Sequence, residues 1–292
     1  MRRWWLAALL GQAACGGEGP VVAAAGVAAE GAPAEGAPAG VAAPTGDRPR
    51  AASWPEAGAE LRALAPLPSP GRRLRIIIDA GHGAPGNVGN TSVRCELEQD
   101  FTRRVQDEVV ARLARAPELE VRAGRPDAAL VDYGARIAAF DGWPADAVVS
   151  LHSDARAGEG VELHPVTGCW SVRGAAGFSV LFSDEGSPGL KAARERLARA
   201  VAGALTEAGF PPYARGYSEA LYGAVTDGVF VDRHAKGKRI RMLRGTHVPT
   251  VIVETHQAFD PDEAERWTEP GTLDAFAAAL RRAVVAATTN PE

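Results

Sequence analysis

The sequence predicts an α/β fold: a mostly parallel, twisted sheet flanked by helices on both faces, in a single domain. Three observations predict it. Runs at Leu74–Asp79, Ala147–Leu151 and Thr250–Val253 are nearly continuous in apolar, mostly β-branched residues, as strands buried on both faces are. Helical patterns separate these runs. No long Pro/Gly-rich stretch divides residues 71–292, which suffice for one domain with a substantial core.

The elements follow in order. Leu74–Asp79 is a strand ended by Gly81. Leu97–Leu113 is an amphipathic helix, because Phe101, Val105, Val109 and Leu113 recur at fourfold spacing. Leu119–Val121 reads as a second strand, Tyr133–Phe140 as a helix and Ala147–Leu151 as a third strand. Gly160–Leu163 and Phe178–Phe182 read as further strands, and Leu190–Ala208 as a long helix stopped by Gly209. Thr250–Val253 is the last strand and Leu273–Ala286 the closing helix.

The N-terminus has a different character. Met1-Arg2-Arg3 precedes an apolar run from Trp4 to Leu10 and small residues up to Cys15, so residues 1–15 read as an export signal. The run is far short of the roughly 20 residues a membrane-spanning helix needs. Cys15 after Ala13-Ala14 resembles the lipid-modified cysteine of a bacterial lipoprotein, although Gln12 stands where an aliphatic residue is usual. Cleavage among the alanines is the alternative. Residues 16–70 are mostly Ala, Gly, Pro and Glu, with the near-repeat Glu30–Ala34 and Glu35–Ala39, and read as a disordered linker. Trp54 and Leu61–Leu67 read as a short docking piece near its end.

The net charge of −4 argues against a nucleic-acid binder. Beyond Cys15 the chain holds Cys95 and Cys169. In an oxidising compartment these form either a disulfide or two separate thiols.

In parallel α/β sheets chemistry collects at the carboxyl ends of the strands. Those places here are Asp79–His82, His152–Asp154 and Glu254–His256. A hydrolytic metal site takes three protein ligands and leaves a position for water. His82 and His152 each follow a strand end, and Gly81 and Gly83 allow a tight turn around His82. Glu96, Glu98 and Asp100 offer a third ligand. Each residue alone has a structural reading, such as a hydrogen-bonded histidine or an acid complementing a helix dipole. Their joint placement carries the functional one.

Ile77-Ile78-Asp79-Ala80-Gly81-His82-Gly83 resembles the opening motif of the zinc-dependent N-acetylmuramoyl-L-alanine amidases, amidase type 3. Glu98-Gln99-Asp100-Phe101-Thr102 resembles their second motif. Arg136 with Ala145–Asp154 resembles the third, and Leu243-Arg244 with Val248–Glu254 the fourth. Ala80 stands where proline is usual, Asp154 where asparagine is usual, and Thr255-His256-Gln257 replaces a small apolar continuation.

The resemblance implies one zinc ion per chain, held by His82, Glu98 and His152, with Glu254 catalytic. It implies hydrolysis of the amide between N-acetylmuramic acid and L-alanine in peptidoglycan, in wall remodelling or daughter-cell separation. Its expected partners are peptidoglycan, an activator protein and, through Cys15, the membrane. The expected location is the periplasm or cell envelope. Asp79 and Asp154 are candidates to orient the histidines, and His256 to assist at the oxyanion. Two stretches look expanded: Thr167–Gly177, with Cys169 and Trp170, and Phe210–Arg241, with Tyr213, Tyr217, Tyr222 and a basic cluster at Lys236, Lys238, Arg239 and Arg241. One or both are expected to border the substrate groove. The rival readings are a non-catalytic wall-binding protein that keeps the fold, and a zinc peptidase that cuts within the stem peptide.

Overall fold

The computed structural model describes residues 61–67, 69–214 and 216–289. The expected export signal at residues 1–15, with Cys15, and residues 16–60 of the expected linker lie outside the described residues. Strand β1 (Leu74–Ala80) shows how the sheet is built. Ile76 and Ile78 enter one apolar cluster, and Ile77 enters another on the opposite face. In β3 (Ala147–Asp154), Val149 and Leu151 join the first cluster and Val148 the second. In β9 (Thr250–Gln257), Val251 and Val253 face the first cluster, while Ile252 packs in a third. Alternate residues point to opposite faces, so near-continuous apolar runs mean burial on both.

The first face is covered by α1 (Glu98–Leu113), α3 (Pro188–Glu207) and α6 (Pro270–Thr289). The Phe101, Val105, Val109 and Leu113 stripe of α1 is buried there. The opposite face is covered by α2 (Tyr133–Asp141) and the short α4 (Arg241–Gly245). Leu61, Leu64 and Leu67 also pack against the first cluster, and Arg62 N–H donates to the Ala208 carbonyl at 3.1 Å. Among the described residues no helix is long and apolar enough to cross a membrane.

The sheet has seven strands. With β2 (Leu119–Ala123), β6 (Ser179–Phe182), β7 (Tyr222–Thr226) and β8 (Val229–Asp232), the order is β2-β1-β3-β9-β6-β8-β7. The β2-β1-β3-β9 half is parallel. Beyond β9 the direction reverses: β6 is antiparallel to β9, β8 runs parallel to β6, and β7 is antiparallel to β8. The carboxyl ends of β1, β2, β3 and β9 therefore share one edge, and those of β6 and β8 open at the other.

The strand expected near Gly160–Leu163 does not join this sheet. It is β4 (Glu159–Leu163), which forms a separate antiparallel hairpin with β5 (Trp170–Arg173). The hairpin follows the carboxyl end of β3. It is fastened by the Cys95–Cys169 disulfide, by Thr167 Oγ1 donating to the Val93 carbonyl at 2.6 Å, and by Val172 N–H donating to the Phe259 carbonyl at 2.9 Å.

The disulfide joins residues 74 apart in sequence, so it removes much loop-closure entropy from the unfolded chain. Replacing both cysteines by serine should lower the unfolding free energy by about 2–4 kcal/mol. Urea denaturation of wild type and double variant under non-reducing conditions checks this, and coincident midpoints would contradict it.

Candidate metal centre and active site

His82 follows β1, His152 lies near the end of β3, and Glu98 opens α1. Their ligand-capable atoms, one from each, lie within 4.8 Å of one another. Glu98 Oε1 is 3.0 Å from His82 Nε2 and 3.2 Å from His152 Nδ1. His82 and Glu98 are buried, and His152 is partly so.

Each side chain is held by its surroundings. His82 sits at φ 58, a left-handed conformation uncommon for a residue with a Cβ. Buried Arg136 secures it by donating to the His82 carbonyl at 2.6 Å and the Ala80 carbonyl at 3.0 Å. Arg125 donates to the Gly81 carbonyl between them at 2.9 Å. Gly81 is required by space: a Cβ there would stand 2.3 Å from His152 Nε2 and 2.5 Å from the Leu151 carbonyl oxygen. Glu98 turns inward because Asn90 donates to Oε2 through N–H at 3.0 Å and Nδ2 at 2.8 Å. Ser153 N–H donates to Oε1 at 3.0 Å. Burial works against the ionised carboxyl, but its bonds with His152 and His82 prevail and hold Glu98 below the usual carboxylate range.

This donor set fits a divalent metal. His82 Nδ1 lies 2.6 Å from Asn87 Oδ1, an oxygen that can only accept, so Nδ1 carries the proton. With its Nδ1 proton committed to Asn87, His82 directs Nε2 at Glu98, and loss of the Nε2 proton would free that nitrogen to ligate a metal. Two imidazoles and a carboxylate match the protein ligands of a hydrolytic set, which keeps a fourth position for water. The asparagine anchoring the imidazole follows the usual pattern for such ligands. Tyr133 OH, 3.3 Å from Asn87 Nδ2, orients that amide in turn.

Glu254 stands beside this cluster. In the sheet register it lies opposite His152 on one side and Ser179 on the other. Its Oε2 is buried and has no hydrogen-bond partner in the protein. Burial first, then the charges of Asp154 and Glu98, push its carboxyl well above the usual range.

The family model for N-acetylmuramoyl-L-alanine amidase matches residues 76–286, a span that contains all four of these residues. The chain belongs to the N-acetylmuramoyl-L-alanine amidase family. Its fold is that of solved amidases. An N-acetylmuramoyl-L-alanine amidase from Clostridium difficile 630 superposes with a TM-score of 0.54 at 19% identity, over 73% of this chain and 95% of that one. The apo form of Ami1 from Mycobacterium abscessus gives 0.55 at 19% identity, over 74% and 99%. The CwlD amidase from Clostridioides difficile, solved in complex with the GerS lipoprotein, gives 0.50 at 14% identity, over 73% and 96%. A search of curated proteins finds no match. The chain is thus an N-acetylmuramoyl-L-alanine amidase whose substrate is peptidoglycan.

Several residues of this amidase do not stand where their sequence positions suggested. Asp79 touches neither histidine; it accepts from Ser150 Oγ at 2.7 Å and pairs with Arg136 at 3.3 Å. It acts on His82 only through Arg136. Asp154 pairs with Arg156 at 2.8 Å and accepts from the Tyr217 hydroxyl. His256 turns away into the core, where its ring stacks on Trp267 at 5.7 Å and meets Phe101 at 4.9 Å. Burial lowers its pKa to about 3, which suits a neutral packing residue rather than a cationic helper. Glu96 is taken by Arg104 at 3.0 Å and Asp100 is exposed, leaving Glu98 as the acid that meets the histidines. Arg239 pairs with Asp184 and Glu185, just past the end of β6, at the edge away from Glu254. Tyr213, Tyr217 and Tyr222 pack on one another instead of lining an open groove. Asn87, Asn90 and Arg125 are supports that sequence reasoning missed; the run Gly86-Asn87-Val88-Gly89-Asn90, just before the acidic candidates, signals the two asparagines, and no local pattern signals Arg125.

Asn87→Ala removes the acceptor that fixes the His82 tautomer. It should weaken metal affinity about 10–100-fold with the fold retained. Competition for zinc against a chromophoric chelator, with circular dichroism as the fold control, measures this; unchanged affinity would refute the role given to Asn87.

Proposed function

We propose that His82, Glu98 and His152 hold one zinc ion, and that Glu254 is the acid–base residue that hydrolyses the amide between N-acetylmuramic acid and L-alanine. The observation that carries this reading is the unpartnered, buried Glu254 oxygen beside a convergent His2Glu set. Zinc, when bound, supplies Lewis-acid polarisation of the carbonyl and a water acidified to about pKa 7. Glu254 takes a proton from the attacking water and returns it to the departing L-alanine nitrogen. Its strand position makes the carboxylate a rigid acceptor, because β9 is paired on both sides and Val253 is fully buried.

We also propose that the chain is exported and works in the periplasm or cell envelope, in wall remodelling or daughter-cell separation. Two features support this: the basic-then-apolar start at residues 1–15, and the Cys95–Cys169 disulfide, which suits an oxidising compartment. Cys15 is the proposed point of lipid anchoring. The complex of the Clostridioides difficile amidase with the GerS lipoprotein supports an activator protein as a further partner.

Glu254→Gln should retain zinc and lose about 10²–10⁴-fold in turnover. Mass spectrometry of digested peptidoglycan reads both the rate and the bond cut. Wild type should release intact stem peptides from glycan. Split cross-links with no free stems would assign a peptidase instead. Full turnover in the variant would remove Glu254 from the mechanism.

A further inference from the structure

Seven large apolar side chains are exposed among the described residues: Val88, Leu130, Val161, Leu163, Val166, Trp170 and Leu221. Their distribution is uneven. Val88 lies between His82 and Glu98, and Leu130 follows β2, beside Val131, whose N–H donates to the Gly83 carbonyl. The other four before Leu221 belong to the β4–β5 hairpin, at the carboxyl end of β3. Six of the seven thus rim the edge that carries the metal ligands. Leu221 is at the opposite edge, where its carbonyl accepts from Arg233 just past β8.

The hairpin holds the densest part of this rim. Leu163 and Trp170 are directly paired across the strands, and Val166 is in the turn. Trp170 is 51% and Val166 77% exposed. Cys169, next to Trp170, is bonded to Cys95, three residues before Glu98. An exposed indole is therefore tied covalently to the segment that delivers a proposed metal ligand.

We infer that Trp170 and Leu163 form a subsite for the glycan strand of peptidoglycan, an inference that rests on the amidase reading above. The bond cut joins a sugar to a peptide, so a sugar must lie beside the metal ligands, and its polymer must run out over this edge. A flat indole flanked by an aliphatic side chain packs against the C–H face of a sugar ring and removes apolar surface from water. Charge points the same way. Residues 159–173 contain Glu159, Glu162 and Arg173 but no cationic cluster, which suits an uncharged polymer rather than an anionic lipid surface. Size argues against a second copy of the chain, since a stable protein interface takes about 20–30 residues a side.

The test uses the full chain as wild type, Trp170→Ala, and Trp170→Ala with Leu163→Ser. Binding to insoluble peptidoglycan is measured by co-sedimentation. Turnover is measured on polymeric peptidoglycan and on a soluble muramoyl peptide with one sugar. Trp170→Ala should lose about tenfold in binding and raise KM on the polymer equally, with kcat on the one-sugar substrate unchanged. Unchanged sedimentation overturns the subsite, as does an equal loss on both substrates, which would mean a structural role. Light scattering that shows a wild-type dimer dissolved by Trp170→Ala, with sedimentation intact, would give the surface to a second copy. If wild type releases no stem peptides the amidase reading fails, and co-sedimentation still reads the subsite independently.

Discussion

Two guanidinium groups beneath the His82 turn carry the geometry on which the site depends. The carbonyls of Ala80, Gly81 and His82 all point inward, onto Arg136, Arg125 and Arg136 respectively. Turning three successive carbonyls to one side places the His82 ring on the other, at a left-handed φ that costs roughly 1–2 kcal/mol. Burying a guanidinium costs several kcal/mol unless its charge and protons are matched. Asp79, fully buried and fixed by Ser150, supplies the charge for Arg136. The first aspartate of the opening motif is thus a counter-ion for the scaffold, one step removed from the proposed metal ligands.

The same logic extends across the sheet. His152 and Glu254 come from neighbouring parallel strands at the same level, so their spacing is set by backbone hydrogen bonds rather than by loops. Beyond Glu254 the sheet reverses direction at β6. The reversal sends the connections after β6 and β8 to the far edge, and the near edge carries the loops after β1, β2, β3 and β9 together with the entry to β6 and the β7–β8 turn. Proposed ligands, catalytic candidate and apolar rim gather there because four parallel strands deliver their carboxyl ends to that edge.

The legible parts of this design were those with a local cause. β1, β3 and β9 are apolar runs buried on both faces, and α1 shows its stripe at fourfold spacing. The strand-end rule then located His82, His152 and Glu254. Choosing Glu98 over Glu96 or Asp100 needed the family motif, since two residues along a helix turn a side chain to nearly the opposite face and composition does not record the phase. β5 and β7 are four or five residues long with mixed patterns, β8 is four residues long, and the pairing partners of all three are set by tertiary contacts. The sheet reversal was invisible for that reason. His256 shows the converse limit: adjacent to a site in sequence, it packs against Trp267, a partner that no local pattern announces.

Two of the departures from the common family pattern, Asp154 and Gln257, meet at the root of the hairpin. Asp154, where asparagine is usual, accepts from Arg156 Nε at 2.8 Å and from the Tyr217 hydroxyl. Arg156 donates onward to the carbonyls of Ala175 at 3.0 Å and Gly177 at 2.6 Å, the segment that leads out of β5. Gln257, from the atypical run after Glu254, closes the ring: its Oε1 accepts from Arg156 N–H at 2.9 Å, and its Nε2 donates to the Arg156 carbonyl at 2.7 Å. A neutral asparagine at 154 would leave buried Arg156 without the carboxylate on its Nε, and an apolar residue at 257 would leave the Arg156 backbone unpaired. Both losses are costly inside a protein. Asp154 and Gln257 together thus form the footing of the β4–β5 hairpin through Arg156, apart from the three proposed ligands.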